Sequence, residues 1–209
     1  MWFLIIECCL VGYLFGSFPA GYFAGRLAGV DVRTVGSGNI GATNVLRVLG
    51  KKWGYPVFLI DALKGFSAVR VAFVLVNRWP EAKPYAEYIA ILAALMSVAG
   101  HMFPVWLGFK GGKGVATSAG ALSGLMPLAV PITFFIWILV FETTRYVSLA
   151  SIIAAIALPI IASLLAHWKF VDTWALIFFS ILIMLLVLWR HRSNFSRLLN
   201  GTEQRFTRK

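Results

Sequence analysis

Six apolar segments, at about residues 2–25, 54–77, 85–107, 115–141, 148–166 and 172–190, alternate with short polar stretches along the chain. Most approach the roughly 20 residues with which a helix crosses the hydrocarbon of a bilayer. The polar stretches are unequal. The connection 26–53 carries Arg26, Arg33, Arg47, Lys51 and Lys52, and the tail from 190 carries Arg190, Arg192, Arg197, Arg205, Arg208 and Lys209. The positive-inside rule places both in the cytoplasm. Five segments lie between them, an odd number that would leave them on opposite faces, so one segment must contain two elements. The segment 115–141 is the one to divide: Gly120 and Gly124 precede Pro127 and Pro131, and a proline inside a helix removes a donor and kinks or breaks it.

Division gives a short helix at about 113–124 and a second at about 128–142. Twelve residues rise only about 18 Å, too little to cross unaided, so neighbours must shield the short helix. Its Ala116, Ser118, Ala119, Gly120, Ala121, Ser123 and Gly124 suit close backbone approach. The predicted architecture is an all-α polytopic membrane protein of about seven transmembrane helices, some short, with its N-terminus outside and its C-terminus cytoplasmic. Fourteen of the 19 Lys and Arg then face the cytoplasm, and the outer connections hold only Arg78, Lys83 and Lys169. The first 25 residues have no Lys or Arg and carry Glu7, which fits a retained span and not a signal peptide. With no internal repeat or low-complexity tract, residues 1–209 are expected to form a single domain.

Composition agrees with the pattern. The chain is 60% hydrophobic, 15% aromatic and 13% charged, with a mean hydropathy of +0.83, outside the range of soluble domains. The net charge of +11 is accounted for by topology, so no nucleic-acid partner is expected. Cys8 and Cys9 are adjacent in an apolar run and build neither a disulfide framework nor a metal motif.

Against this background the stretch GSGNIGATN, residues 36–44, has almost nothing to bury. It leads into a short helix with Val45, Leu46, Val48 and Leu49 as its apolar stripe. Asn39, Thr43 and Arg47 fall on one helical face with Asn44 beside them. Gly36, Ser37 and Gly38 read either as a cradle of free N–H groups for an anion at a helix N-terminus or as a tight turn with a cap. A second glycine cluster, Gly111, Gly112, Lys113 and Gly114, opens the short helix, with Thr117 a turn further in. It lacks the spacing of a P-loop, but it faces the same side of the membrane as the first. Two such loops on one face favour phosphate binding.

At the end of the last segment, His191 and Asn194 are three apart on one helical face, amid arginines that topology already explains. His101 also lies near the inner face, whereas His167 lies on the outer side. Asp61 and Lys64, one turn apart inside the membrane, form either a functional ionisable pair or a structural brace. The brace is favoured, because the DALKG motif holds no third catalytic group.

GSFPAGY at 16–22, GSGNIGATNVLR at 36–47, DALKG at 61–65, GHMFPVWLGFKGGKGVAT at 100–117 and HRSNFSRLLNGTE at 191–203 occur in that order. Together they resemble the acyl-phosphate:glycerol-3-phosphate acyltransferases of bacterial membranes, the PlsY family. The family's closing Gly-x-Glu-x-Lys motif is represented by Gly201, Glu203 and Arg205. The resemblance implies transfer of a fatty acyl group from acyl-phosphate to the 1-hydroxyl of glycerol 3-phosphate, giving 1-acylglycerol 3-phosphate for phospholipid synthesis. It implies a location in the bacterial inner membrane, an active site at the cytoplasmic face, contact with membrane lipid and a functional link to an upstream enzyme that makes acyl-phosphate. No cofactor or metal is expected.

On this resemblance, Lys113, Thr43, Asn44 and His191 are the expected catalytic residues. Ser37, Gly38, Asn39, Gly41, Gly111, Gly112 and Gly114 would line the phosphoryl cradle. Arg47, His191 and Asn194 would hold glycerol 3-phosphate, and Ser148 would contact either substrate. The His-x4-Asp pair of soluble glycerolipid acyltransferases is absent, so the departing phosphate is the expected base, with His191 or His101 as its rival. A transporter or channel for a phosphorylated solute, or a non-catalytic lipid-surface scaffold, are the alternatives of other classes.

Overall fold

The computed structural model describes residues 1–170 and 174–206, so the start of the predicted 172–190 segment, residue 171 of an outer connection, and Arg208 and Lys209 of the tail lie outside the described residues. The chain is an all-helical, multi-pass membrane protein, with no strand among the described residues. In hydrocarbon each backbone N–H and C=O must find an internal partner, and a helix provides this within a single segment. Among the described residues ten α-helices follow in order: α1 (Trp2–Ser17), α2 (Ala20–Leu27), α3 (Ala42–Leu49), α4 (Lys51–Val76), α5 (Ala86–Met102), α6 (Val115–Leu125), α7 (Ala129–Thr144), α8 (Val147–His167), α9 (Trp174–Arg190) and α10 (Arg192–Leu199). They group into two compact units, Met1–Leu125 and Met126–Lys209.

Among the described residues, three stretches are long and apolar enough to cross a membrane: Trp2–Leu27, Pro80–Leu107 and Val147–His167. A fourth is formed if α9 and α10, bent by 58° at their junction, count as one. Within Trp2–Leu27 the single helix expected at 2–25 is interrupted, because Pro19 forces Phe18 into an extended conformation at ψ 116°. The proposed division of 115–141 matches the break between α6 and α7. Pro127 falls in the gap, and Pro131 sits in the first turn of α7, where no intrahelical donor is lost.

In the first unit, glycines set the helix spacing. A methyl group added to Gly120 of α6 would strike the Ala62 carbonyl of α4, and one on Gly65 of α4 would strike the Thr117 carbonyl of α6. Helix α6, only about 16 Å long, is therefore pressed backbone to backbone against α4. Gly12 and Gly16 of α1 meet Ala93 and Ser97 of α5 in the same way. Such contacts supply the dispersion energy that associates helices where the hydrophobic effect is lacking.

The polar connection before α4 is also anchored. Ala20, Ala24, Val32, Ile40, Val45 and Val57 form an apolar cluster, with Tyr22, Ala42, Leu49, Trp53 and Leu107 packed around it. Helix α3 thus buries one edge of its predicted stripe. Leu46 lies on Gly54 of α4, where a larger residue would collide with it. The second unit is built from α7, α8, α9 and α10, and α8 is close to both α7 and α9.

Candidate active site

The first glycine loop is held by its own hydrogen bonds. Gly36 and Gly38 adopt positive φ, 60° and 68°, a conformation that favours glycine. Asn44, in the first turn of α3 and buried, ties the turn together. Its Oδ1 accepts from the Ser37 N–H at 2.8 Å, and its Nδ2 donates to the carbonyls of Val32 at 2.9 Å and Val35 at 3.2 Å. The Gly38 N–H donates to Val35 O at 3.0 Å, and the Gly41 N–H to Asn39 Oδ1 at 2.8 Å.

These bonds alter three expectations. The amides of Ser37, Gly38 and Gly41 are engaged within the loop and are not the free N–H groups that the sequence suggested. Asn44 is a buried clamp, not a side chain reaching out to substrate. Asn39 precedes the helix, whose N-cap is Gly41, so it does not share a helical face with Thr43 and Arg47. Those two remain one turn apart on α3, half-buried. At the base of the loop Arg33 is bound to Asp31 at 2.7 Å and lies over the Tyr22 ring at 4.7 Å. The hydrogen bonds from Arg33 hold the Asp31 carboxyl at about 2.

The second loop continues from the end of α5. The Gly111 N–H donates to Met102 O at 3.1 Å and the Gly112 N–H to His101 O at 3.0 Å, so both amides cap the last carbonyls of α5. Here too the expected cradle differs from the observed one: Gly111 and Gly112 spend these donors on the protein. Lys113 and Gly114, the latter with φ 82°, then lead into α6, whose first-turn amides have no intrahelical partner. Thr117 is fully buried, with its carbonyl against Gly65 of α4. Both loops belong to the first unit, and Leu107, from the segment before the second loop, joins the apolar cluster around Val45 of α3.

Beneath the second loop, the pair foreseen in DALKG gains a third member. Lys64 Nζ lies 2.5 Å from Asp61 Oδ1, and His101 Nδ1 lies 3.6 Å from the same oxygen, too far for a hydrogen bond. All three residues are buried.

The second unit gathers a separate polar cluster. His191 stands at the bend between α9 and α10, and its Nδ1 lies 2.8 Å from Val187 O. A carbonyl only accepts, so Nδ1 carries the proton and, in the neutral ring, Nε2 is the acceptor. Ser148, in the first turn of α8, donates to Glu203 Oε1 at 2.6 Å, and Asn194 Nδ2 donates to the same oxygen at 2.7 Å. Arg197 Nε donates to Glu203 Oε2 at 2.8 Å. Gly201, with φ 67°, turns the chain back so that Glu203 meets these groups. Burial opposes ionisation of Glu203, but the bonds from Ser148, Asn194 and Arg197 outweigh it and hold the carboxyl below its ordinary range.

Glu203 is the residue that sequence reasoning underrated. It is the sole acidic residue between 190 and 209, among six cations, and that isolation was the available signal. Two residues on, Arg205 donates from Nε to the Tyr146 hydroxyl at 3.0 Å, with its guanidinium 5.1 Å above that ring. A planar guanidinium supports both contacts, which a lysine ammonium would not reproduce.

The sequence model described as glycerol-3-phosphate acyltransferase matches residues 6–201. The chain belongs to the glycerol-3-phosphate acyltransferase family. Its relatives include the glycerol-3-phosphate acyltransferases of Thermosynechococcus vestitus, 44% identical over 94% of this chain and 92% of the relative, and of Aquifex aeolicus, 42% identical over 94% and 96%. Among solved structures, PlsY (YgiH), an integral membrane glycerol 3-phosphate acyltransferase, in its glycerol 3-phosphate form superposes with a TM-score of 0.85. That match has 41% identity and covers 97% of this chain and 96% of PlsY. The lysophosphatidic acid form of PlsY superposes at 0.83 with 40% identity. The stretches on which the resemblance rests fall in both units, among them α3 and the two glycine loops of the first and the α9–α10 bend of the second.

Proposed function

We propose that this protein transfers a fatty acyl group from acyl-phosphate to the 1-hydroxyl of glycerol 3-phosphate, giving 1-acylglycerol 3-phosphate and phosphate as a step in phospholipid synthesis. The observation that carries this reading is the near full-length similarity to PlsY in its glycerol 3-phosphate and lysophosphatidic acid forms. The acyl-phosphate donor is what the resemblance to the acyl-phosphate:glycerol-3-phosphate acyltransferases implies, and the residues are compatible with it. Lys113 at the N-terminus of α6, with Thr43 and the glycine loops, offers positive potential to a departing phosphate.

In this scheme the acceptor hydroxyl oxygen attacks the acyl carbonyl, the bond from carbonyl carbon to phosphate oxygen breaks, and phosphate leaves. Lys113, Thr43, Gly114 and the loop bearing Ser37, Gly38, Asn39 and Gly41 serve the donor. Arg47, His191 and Asn194 serve glycerol 3-phosphate, and Ser148 serves either substrate. Asn44, Gly111 and Gly112 act by holding the loops in shape. Residues 1–209 act as one acyltransferase domain of about seven crossings, with the N-terminus outside and the site at the cytoplasmic face of the inner membrane. An upstream enzyme supplies acyl-phosphate.

The decisive experiment uses purified protein in detergent, with no membrane to cross. It is expected to form lysophosphatidate from acyl-phosphate and glycerol 3-phosphate. Formation from acyl-CoA alone would overturn the donor assignment, and no product from either donor would favour a transporter.

The hydroxyl proton passes in this scheme to the departing phosphate, because correct positioning of an activated mixed anhydride supplies much of the acceleration. The tautomer of His191 supports a second reading, in which Nε2 accepts that proton. His191→Gln separates the two. Near-native kcat at saturating glycerol 3-phosphate, with an unchanged pH profile and a raised KM for glycerol 3-phosphate, is the outcome expected for phosphate as base, and loss of turnover with glycerol 3-phosphate still bound assigns the proton to histidine.

A further inference from the structure

The last two helices of the second unit carry, on their exposed side, features that the acyl-transfer scheme does not use. Along α9 the side chains of Phe178, Leu182, Leu185 and Trp189 are exposed, at the alternating spacing that lines up one stripe along a helix. With 17 residues this helix rises about 25 Å, most of the hydrocarbon thickness, so the stripe faces lipid chains. It ends at Trp189, in the last turn.

Two cations gather on that indole. The guanidinium carbon of Arg190 lies 5.6 Å from the ring centre and that of Arg192 5.2 Å, and Arg192 Nη1 donates to the Trp189 carbonyl at 3.2 Å. Attraction to a ring face is small at an exposed site, and two guanidiniums brought to one ring repel each other. Arg197 and Arg205 turn instead to Glu203 and Tyr146. The positive-inside rule asks for basic residues at this end of the helix but for no particular geometry.

Helix α10 extends the surface. It leaves the direction of α9 by 58°, and its sequence RSNFSRLL is too polar for hydrocarbon. Arg192, Phe195, Ser196 and Leu199 are nevertheless exposed along one side, while Asn194 is buried on the other. Phenylalanine and leucine exposed beside an arginine are the pattern of a helix lying in the membrane interface, with apolar side chains among the acyl chains and cations at the headgroups. A ligand that complements both the stripe and the paired cations has two acyl chains and a phosphate.

We infer that the α9–α10 bend is a binding site for an acidic glycerophospholipid, with its phosphate on Arg190 and Arg192 over Trp189 and its chains along the Phe178–Leu185 stripe. The planar fork of a guanidinium matches phosphate oxygens, and the anion removes the repulsion between the two cations. His191 and Asn194 are buried, on the other side of the bend from this lipid. The inference is therefore independent of which loop serves which substrate.

Native mass spectrometry tests this, on the full-length protein titrated in non-ionic detergent with phosphatidylglycerol or with phosphatidylcholine of the same chains. Each cation near an anionic headgroup is worth about fivefold in affinity, so wild-type protein is expected to prefer its first phosphatidylglycerol by about 25-fold. The Arg190→Gln, Arg192→Gln variant is expected to bind the two lipids alike, within about twofold. Arg190→Lys, Arg192→Lys keeps the charge but loses the planar fork, and is expected to retain only about fivefold of the preference. Lys51→Gln, Lys52→Gln removes the same charge from exposed positions at the start of α4 and is expected to leave the preference intact. Inorganic phosphate at constant ionic strength is expected to displace no lipid.

A preference that survives in the glutamine variant of the arginines, is undiminished in the lysine variant, or is lost equally in the Lys51, Lys52 variant would overturn the site in favour of diffuse attraction to a basic surface. Displacement by inorganic phosphate would assign the two arginines to a soluble anion. Absence of a preference in wild-type protein would overturn the inference outright, and dimers that dissociate in the glutamine variant would then assign this face to a second copy of the chain.

Discussion

Replacing Lys113 by alanine is expected to lower kcat/KM for acyl-phosphate by about 10²–10³-fold, the usual loss when one preorganised group is removed from a developing negative charge. Three features concentrate its effect. The lysine lies at the N-terminus of α6, where backbone dipoles already favour an anion. The preceding amides, of Gly111 and Gly112, are committed to the carbonyls of Met102 and His101, which leaves more of the stabilisation to the side chain. The loop is also seated on a buried ring and cannot readily rearrange to compensate. Steady-state assay of lysophosphatidate formation at varied acyl-phosphate is the measurement. Lys113→Arg is expected to recover only part of the activity, because a broad planar guanidinium does not substitute for a compact ammonium. A Lys113→Ala protein with undiminished turnover would remove the lysine from catalysis.

Glu203→Gln is the second large effect, and it extends to stability as well as rate. The carboxylate accepts three hydrogen bonds, from Ser148, Asn194 and Arg197, and its side chain is only 8% exposed. An amide of the same shape keeps one acceptor oxygen, places a donor where Arg197 or the Ser148–Asn194 pair needs an acceptor, and loses the charge. The expected cost is about 2–3 kcal/mol, the range for bonds to a charged group, read as a fall in melting temperature in detergent. Ser148 and Asn194 lose their common anchor at the same time, so KM for glycerol 3-phosphate is expected to rise while KM for acyl-phosphate stays near its native value.

The pH dependence of this anchor has a definite sign. Burial raises the Glu203 pKa, but the hydrogen bonds dominate and the folded value is lowered. A group depressed on folding stabilises the native state fully above its unfolded value, near about 4.3 for Glu, and loses that contribution as pH falls through the folded value. Acid melting curves of the native protein should therefore show a component below the ordinary carboxyl range that is absent from Glu203→Gln.

Particular residues show where sequence reading succeeded and where it stopped. The division of 115–141 was legible because two prolines and a charge-parity argument are local and topological facts. The close approach of α6 to α4 was legible in its glycines and alanines, since small side chains have few other uses in a membrane helix. Asn44 was misplaced because an asparagine after a glycine turn can face outward to a ligand or inward to carbonyls. Only the fold of residues 32–37 decides which. Glu203 was underrated because its partners, Ser148 and Asn194, lie 55 and nine residues away.

By itself the sequence determined the solvent and the inventory of this protein. Apolar runs of near-membrane length, a concentration of Lys and Arg in residues 26–53 and 190–209, and glycine loops beside basic residues all follow from local pattern, because helix formation and membrane insertion depend on short stretches of chain. Tertiary structure alone decided which donors those loops spend on themselves, that His101 joins Asp61 and Lys64 beneath the second loop, and that Glu203 gathers Ser148, Asn194 and Arg197. The deciding ones, His101 with Asp61 and Ser148 with Glu203, join residues distant in sequence. Their energies depend on distance and burial, and neither is written in the order of the residues.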